Sequence, residues 1–374
     1  MSSVMIWGIV KIVVIFGLVM KIVPLLVYAE RRISARIQLR LGPNMVGLPR
    51  WKILGPLGGF HLWGLLQPLA DAMKFVFKEN FTPARADKFL YRIAPAMVFI
   101  PAGLALAGIP FYGEWVKDVG FVGIKPAEFP LIGSWFEGVP HSGPFVIFDS
   151  ELGVLFVLAA STLGVHGLSI AGWSSYNKFS QMAGVRASAQ LISYEAPMFM
   201  ALIAALMVAG STDFFSIVEY QNQNMWLICY QPLAFIIFYI CTFAETNRLP
   251  FDLPEAEPEL VGGYHTEYGG MGFAIFFLGE YIAMIVQCAI LTLVFLGGWT
   301  LPWSETAHLA WGGLAGFLIF FTKVVILLLI MIQVRWTLPR FRYDQLMQLG
   351  WKRLAPLAMI NLAATAVIGV MMKS

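Results

Sequence analysis

The residues best able to exchange protons are concentrated in the segment 244–268. This segment holds one arginine, no lysine and six acids, which are Glu245, Asp252, Glu255, Glu257, Glu259 and Glu267. The stretches on either side are apolar, and a carboxylate that loses its hydration beside lipid is costly to keep charged. A solvated loop remains one interpretation. The apolar flanks and the scarcity of nearby cations favour a role in proton transfer.

Three glutamates lie inside apolar stretches or at their ends, namely Glu195, Glu245 and Glu280. A desolvated carboxylate can take up and release a proton near neutral pH, as a relay requires. The alternative is a structural carboxyl group that is hydrogen-bonded to a neighbouring helix. Because three such residues occur beside the acidic segment, we favour a proton relay.

Basic residues occur in two groups that complement these acids. Arg31, Arg36 and Arg40 follow the first apolar stretch, and Arg335 and Arg340 follow the seventh. Their guanidinium groups could orient a carbonyl-bearing headgroup or pair with the acids of the segment. They could also serve only to fix the orientation of the chain in a membrane. The sequence leaves these roles open.

The composition places the chain in a lipid bilayer. Hydrophobic residues make up 59% of the 374 residues and charged residues only 13%, which excludes an ordinary soluble fold. The three cysteines lie in apolar runs without a CxxC pair, so we expect them to be buried and not to bind metal. No glycine-rich nucleotide loop and no zinc-spaced histidine pair is present, and we expect no prosthetic group or metal on this chain.

The apolar stretches predict an all-α polytopic membrane protein with eight transmembrane helices in one domain, 1–374. Each stretch is about 20 residues long, as the hydrocarbon core requires. Alternating sides puts 19 Lys and Arg in one set of connections and 3 in the other. The positive-inside rule then assigns the first set to the cytoplasm and both termini to the outer side. The predicted spans are 5–28, 93–111, 152–172, 188–209, 226–244, 270–297, 309–333 and 354–372.

Three connections have distinct characters. The cytoplasmic connection 30–92 contains a segment, 60–81, with apolar residues at helical spacing and Asp71, Lys74 and Lys78 on the other side. We interpret this segment as an amphipathic helix at the membrane surface, the alternative being a buried connector. The connection 112–151 is rich in Pro and Gly and is predicted to be an outer surface loop. The acidic segment 245–268 is predicted to face the cytoplasm.

Five long motifs cover most of the chain from about residue 28 to 356. They are Glu30-Arg31 with QLRLGPNMVG, QPLADAMKFVFKE, SSYNKFSQMAGVRASAQLISYE, AETNRLPFDLPEAEPELVGGYHTEY and RFRYDQLMQLGWKRLAP. Together they resemble the family of quinone-binding membrane subunits of respiratory complex I, known in bacterial NADH:quinone oxidoreductases as the H subunits. The outer loop 112–151 looks longer than in compact members of that family.

The resemblance implies a subunit of a proton-pumping enzyme in the bacterial inner membrane. Quinone would be the substrate, and NADH, FMN and iron–sulfur clusters would bind to partner subunits. The partners would be peripheral-arm subunits that complete the quinone cavity, and the small and antiporter-like subunits of the membrane arm. The resemblance implies that Glu195, Glu245 and Glu280 link the cavity to the proton path. It implies that the cavity is lined by Arg31, Arg36, Arg40, Asp71, Phe251, Glu255, Glu257, Glu259 and Arg335.

Two other classes of function stay open at this point. A homologous subunit of a membrane-bound hydrogenase or formate hydrogenlyase would share the scaffold without the use of quinone. An independent proton or cation transporter would need a path open to both sides, yet few ionisable residues lie in the outer halves of the predicted spans. The five intact motifs favour the oxidoreductase subunit.

Overall fold

A computed structural model describes residues 3–46, 63–116, 142–255, 257–302 and 314–373. These residues form a bundle of α-helices. Short one-turn helices complete the connections, including a 3₁₀ turn at Gly263–His265 and a π-helical turn at Leu349–Leu354. The α-helices are α1 (Ser3–Ile37), α2 (Gln67–Phe77), α3 (Lys88–Ala107), α4 (Gly153–Thr162), α5 (Gly164–Ser174), α6 (Lys178–Ala209), α7 (Phe214–Gln223), α8 (Leu227–Tyr230), α9 (Pro232–Glu245), α10 (Glu257–Leu260), α11 (Gly270–Phe295), α12 (Leu314–Thr337), α13 (Tyr343–Gln348) and α14 (Ala355–Lys373).

Among the described residues, seven helical stretches are long and apolar enough to cross a membrane. This confirms a polytopic membrane protein, with seven such stretches where eight spans were predicted. The stretches are Gly8–Ile37, Lys88–Ala107, Gly153–Ser174, Lys178–Ala209, Gly270–Phe295, Ala315–Thr337 and Tyr343–Met371.

The remaining predicted span, 226–244, is a broken helix. It consists of α8 and of α9, whose 14 residues measure about 21 Å, less than a hydrocarbon core. The break lies at Gln231, directly before Pro232. Proline suits the first turn of a helix because it has no N–H to leave unpaired, so it starts α9 rather than continuing α8.

The connection 112–151, which was predicted to be an outer loop, departs from the all-α prediction. Tyr112–Val116 (β1) pairs antiparallel with Ser142–Phe145 (β2) to form a two-stranded ribbon. Tyr, Trp, Val and Phe in these strands are residues that fit a pleated surface, a local signal that the Pro and Gly content of the loop obscured. The stretch between the strands lies outside the described residues.

Helix α11 forms the centre of the bundle and contacts α3, α6, α7, α9 and α12. Nearly every residue from Gly279 to Phe295 is buried, and a helix that is apolar on all sides belongs in such a position. Helices α5 and α6 approach closely at Gly172 and Gly184. A Cβ at Gly172 would lie 2.5 Å from the Ser180 carbonyl oxygen, so this crossing requires glycine.

Two buried polar anchors hold the ends of the bundle. Gln221 on α7 donates to the Leu293 carbonyl (2.9 Å) and accepts from the Leu227 and Gly297 amides. Helix α7 follows the end of α6, whereas Ser180 lies at the start of α6 and donates to the Tyr264 carbonyl at 2.8 Å. The acidic segment therefore lies at the end of the bundle away from Gln221.

A helix forms in the described part of 60–81, and its position at a membrane surface stays a prediction. Helix α2 packs on α1 and α11 and exposes Leu69, Met73 and Phe77. It is tied to α11 through Asn80, which accepts from the Met271 amide at 3.1 Å. The prediction that all three cysteines are buried is wrong for Cys229, which is exposed on the short α8.

Candidate functional site

The acidic segment folds into the end of the bundle. Thr246, Asn247, Arg248 and Asp252 are buried, so a solvated loop does not describe this part of the chain. Gln190 on α6 fixes the first half of the segment. Its amide nitrogen donates to the Ala244 carbonyl (2.9 Å), the Asn247 side chain (3.2 Å) and the Phe251 carbonyl (2.8 Å).

Arg248, the single arginine of the segment, is shared by two buried carboxyl groups. Its guanidinium lies 3.8 Å from Glu30 on α1 and 3.8 Å from Glu280 on α11. The guanidinium also stacks on the Tyr281 ring, 4.4 Å from its centroid. Burial acts to lower the pKa of Arg248, but Tyr281, Glu30 and Glu280 together raise it above its ordinary value. Arg248 is therefore charged.

Glu30 has two further donors. Arg335 at the end of α12 and the Tyr281 hydroxyl both donate to its carboxylate. Three helices thus meet at one carboxyl group. The predicted spans ended at residues 28 and 333, before Glu30 and Arg335, whereas α1 extends through Glu30 to Ile37 and α12 extends through Arg335 to Thr337.

A phenol connects Glu280 to the exposed side of the acidic segment. The Tyr264 hydroxyl donates to Glu280 at 2.6 Å and lies 3.1 Å from Glu255. Glu255 in turn lies 3.7 Å from Nδ1 of His265. Burial and then the two carboxylates raise the pKa of Tyr264 well above its usual range, so Tyr264 stays a neutral donor.

Asp252 forms the other branch of the cluster and pairs with Arg340 at 3.1 Å. Burial, and next the nearby Glu255 carboxylate, raise the pKa of Asp252 to about 7. Burial also acts to raise the pKa of Glu255, but His265, the hydrogen bond with Glu280, Arg248 and Arg335 bring it below its ordinary value. The pKa values of the two carboxyl groups are therefore shifted in opposite directions.

A tight turn brings Tyr264 and Glu255 together. Gly263 has a φ of +70°, and a Cβ at this position would lie 1.9 Å from the Pro254 carbonyl oxygen. Only glycine permits both the left-handed backbone and this contact. The turn sets the Tyr264 hydroxyl between the two carboxyl groups.

Glu245 and Glu195 form a second acidic group next to the first. The two carboxyl groups lie close enough to repel each other, and His166 on α5 lies near Glu195. A cavity of about 50 Å³ is lined by both Glu245 and Glu280. Glu245 Oε2 and both side-chain polar atoms of Gln287, another lining residue, are buried without a hydrogen-bond partner among the described residues.

Polar atoms of this kind are normally satisfied by water when a small polar cavity adjoins them. The cavity between Glu245 and Glu280 therefore suits one or two bridging water molecules. A larger cavity, of about 1600 Å³, lies at the opposite end of the bundle beside α7 and Trp299. It contains none of the predicted site residues.

The other predicted site residues lie outside this cluster. Arg31 and Asp71 pair with each other at 2.6 Å between α1 and α2, and Glu259 pairs with Arg186 at 2.6 Å. Arg36 and Arg40 are exposed. The Phe251 ring is buried between Tyr194 and Phe341. The side chain of Glu257 lies outside the described residues.

Seven residues of the cluster were not predicted as site residues, namely Glu30, Arg248, Asp252, Tyr264, His265, Tyr281 and Arg340. Arg248 had a detectable signal, because it is the single cation among six acids. Glu30 had a weaker one as an acid within a basic motif. The two tyrosines and the histidine had none, since their roles depend on contacts between distant parts of the chain.

Among the described residues, no group of three or more His, Cys, Asp or Glu side chains is placed to hold a metal ion. The charged groups instead neutralise one another through Arg–carboxylate pairs. Whether the chain carries a cofactor stays a prediction.

Comparison with known proteins identifies the family. A family described as NADH dehydrogenase matches residues 10–366. The chain belongs to this family. The H 1 subunit of the NADH-quinone oxidoreductase of Geobacter sulfurreducens is 43% identical over 359 residues, which are 96% of this chain and 93% of the relative.

Relatives from other bacteria agree with this assignment. The H 1 subunit of the NADH-quinone oxidoreductase of Cytophaga hutchinsonii is 42% identical over 340 residues, 90% of this chain and 89% of the relative. The H subunit of the Protochlamydia amoebophila enzyme is 44% identical over 342 residues, 91% of this chain and 90% of the relative. The resemblance seen in the five motifs is confirmed, and the chain is a subunit of the NADH-quinone oxidoreductase enzyme complex.

Proposed function

We propose that this subunit forms the quinone entrance channel and part of the quinone cavity, and couples quinone reduction to proton translocation. The observation that carries this proposal is an unbroken chain of charged and polar groups. It runs from Arg335 through Glu30, Arg248, Glu280 and Tyr264 to Glu255. Such a chain can respond to a change of charge at one end by moving protons or side chains at the other.

The path continues inward from Glu280. The cavity beside Gln287 separates Glu280 from Glu245, and Glu195 lies next to Glu245. Bridging water in that cavity would complete the relay Glu280–Glu245–Glu195. Quinone reduction consumes two electrons and two protons, so the charge of the acidic segment would differ between the oxidised and reduced states. Only such a difference in interaction between two states can drive coupling.

The assignment of partners and location follows from the family. Peripheral-arm subunits would carry NADH, FMN and iron–sulfur clusters and would complete the cavity at the end of the bundle where the acidic segment lies. Quinone reduction would be coupled to proton translocation in the small and antiporter-like membrane subunits. The complex would lie in the bacterial inner membrane with the acidic segment facing the cytoplasm and both termini facing outward.

Replacement of Glu280 with Gln tests the relay. Gln keeps the volume and accepts a hydrogen bond from Tyr264, but it cannot titrate. We expect the assembled complex in reconstituted vesicles to translocate fewer protons per electron. A Glu219→Gln variant is the control, because Glu219 is exposed on α7, at the opposite end of the bundle from the chain of contacts. An unchanged ratio at full turnover in the Glu280 variant would remove Glu280 from the relay.

Neutralising the acidic segment tests its part in the function. With Glu255 and Glu257 both replaced by Gln, assembly should be retained, because the variant keeps Glu30 and Glu280, the carboxyl groups through which Arg248 joins α1 and α11. Quinone reductase activity and proton pumping should both fall. Normal activity in the assembled double variant would argue against the segment as a functional site.

A further inference from the structure

His265 lies next to Glu255, at the accessible end of the chain of contacts that runs from Glu280 through Tyr264 to Glu255. Its side chain and that of Glu255 are each 20% exposed, whereas Glu280 is buried. Nδ1 faces Glu255 Oε1 at 3.7 Å. The ring packs edge-on against Tyr264 at 5.0 Å and against Phe273 of α11 at 5.1 Å between centroids. These contacts hold the imidazole beside Glu255.

The cluster contains one more carboxyl group than it has arginines. The contacts join three arginines (Arg248, Arg335 and Arg340) to four carboxyl groups (Glu30, Glu280, Glu255 and Asp252). Buried charges are costly unless they are compensated, so the cluster favours one additional proton. That proton can reside on a carboxyl group or on the imidazole next to Glu255.

We propose that His265 is the proton donor that supplies protons to Glu255 and, through Tyr264, to Glu280. The inference rests on the proposed relay function and names the residue through which the relay exchanges protons. Histidine is the side chain that ordinarily gains or loses its charge between pH 5 and 8. Nδ1 is the ring nitrogen that faces Glu255, so it is the nitrogen that delivers the proton.

The transfer balances at each atom. The Nδ1–H bond of the imidazolium breaks and an O–H bond forms on Glu255, which leaves a neutral imidazole and a neutral carboxyl group. Glu255 then donates to the Tyr264 oxygen as Tyr264 passes its own proton to Glu280 at 2.6 Å. The neutral imidazole keeps its Nε2–H, so a turn of the ring carries the bare Nδ1 to water, where a hydronium ion gives it a proton, and the reverse turn restores the donor.

The groups facing His265 supply an ionised acceptor, and because the pKa of that acceptor is lowered, the onward step to Glu280 must draw the proton from it. Glu255 and Tyr264 contact it from its own segment, and Phe273 from α11 presents no charge. Burial acts to raise the pKa of Glu255, but His265, the hydrogen bond with Glu280, Arg248 and Arg335 together bring it below its ordinary value. A protonated imidazole therefore has an ionised acceptor beside it.

Two variants of the assembled complex separate proton donation from packing. His265→Gln retains a hydrogen-bond donor without a charge, and His265→Phe retains the ring contacts with Tyr264 and Phe273. Coupled NADH:quinone turnover is measured in vesicles from pH 5.5 to 8.5, with co-purified partner subunits as the check on assembly. The wild-type rate should fall as the pH rises through the range in which imidazole loses its proton.

We expect both variants to lose on the order of 100-fold at pH 6, the low end of what a positioned proton donor contributes, and to lose that pH dependence. A wild-type rate and profile in either assembled variant would overturn the proposal, as would low rates that keep the wild-type profile. Glu280→Gln is measured in parallel. If that variant is normal, the relay itself fails, and if only the His265 variants are normal, the relay stands and His265 does not supply it.

Discussion

At the residue scale, Arg248 has the most demanding position in the molecule. It is buried, and its guanidinium lies between Glu30 and Glu280, which come from helices 250 residues apart in sequence. A planar guanidinium can address two carboxylates at once, which a lysine ammonium on a flexible stem does less well. The lone cation of the acidic segment thus joins α1, α11 and the segment itself.

Replacement of Arg248 with Met should therefore destabilise the protein. It would leave Glu30 with Arg335 and the Tyr281 hydroxyl, and Glu280 without its cation, and loss of one partner from a buried ion pair costs about 3–5 kcal/mol. The yield of assembled complex and its thermal midpoint in mild detergent measure the effect. Arg342→Met is the matched control, because Arg342 pairs with Asp344 at the exposed surface, where a pair contributes about 0–1 kcal/mol. Equal stability of the two variants would contradict this role for Arg248.

At the element scale, two buried glutamines perform the same task at opposite ends of the bundle. Gln190 donates to three acceptors in the turn after α9, and Gln221 binds three backbone groups near the turn after α11. Replacing either glutamine with Leu leaves buried backbone groups without hydrogen-bond partners, which lowers the free energy of unfolding by about 1–3 kcal/mol per group. The pair therefore separates a loss of stability from a loss of function.

We expect Gln190→Leu and Gln221→Leu to lower the thermal midpoint of the complex by similar amounts. Only Gln190→Leu should also lower turnover per assembled complex, because Gln190 holds the Phe251 backbone and the segment that carries Glu255. Turnover is normalised to the flavin content of the purified complex. Equal turnover in both variants would mean that the position of the acidic segment does not limit the reaction.

Helix α2 is the element best placed to border a lipid-side entrance for quinone. Leu69 is 60% exposed on a helix that packs against α1 and α11, and the Arg31–Asp71 pair fixes the opposite side of α2 to α1. An isoprenoid tail is too apolar to pass a charged face, so the entrance must open at bilayer depth.

Leu69→Trp should raise the apparent KM for long-tailed quinones several-fold and affect short-tailed ones less. The indole would narrow the border of the entrance, which a short tail hardly occupies. Steady-state kinetics with the two substrates measure this, and Ile360→Trp on the exposed face of α14 is the control. Equal slowing of both substrates, or of neither, would place the entrance elsewhere.

The elements were more predictable than the contacts between them. Hydropathy located the long spans because each is a continuous apolar run, and it identified α2 because its polar residues share one face. The ribbon of β1 and β2 was missed because loop composition obscures short strands. Glu195, Glu245 and Glu280 were identified as acids in apolar surroundings. Tyr264, His265 and Tyr281 look like ordinary aromatic residues until the fold sets them beside carboxyl groups.

At the scale of the whole molecule, the path of the chain bears on its topology. Ser180 at the start of α6 contacts Tyr264, whereas Leu227 at the start of α8 contacts Gln221 at the other end of the bundle. Residues 227–246 therefore run from one end of α6 towards the other. Counting α8 and α9 as one broken span gives eight crossings and puts both termini on the same side, in agreement with 19 Lys and Arg against 3.

Reporter fusions after Thr212, Glu267 and Leu301 test this topology. We expect a reporter that is active only outside the cytoplasm to work after Thr212 and Leu301, and one that is active only in the cytoplasm to work after Glu267. The reason is that the connections around Glu267 belong to the basic set, while those around Thr212 and Leu301 hold no Lys or Arg. If the fusions after Thr212 and Glu267 report the same side, α8 and α9 do not cross. The acidic segment would then share a compartment with α7, and if that compartment lay outside the cytoplasm, a cytoplasmic peripheral arm would have no access to Glu255 and His265.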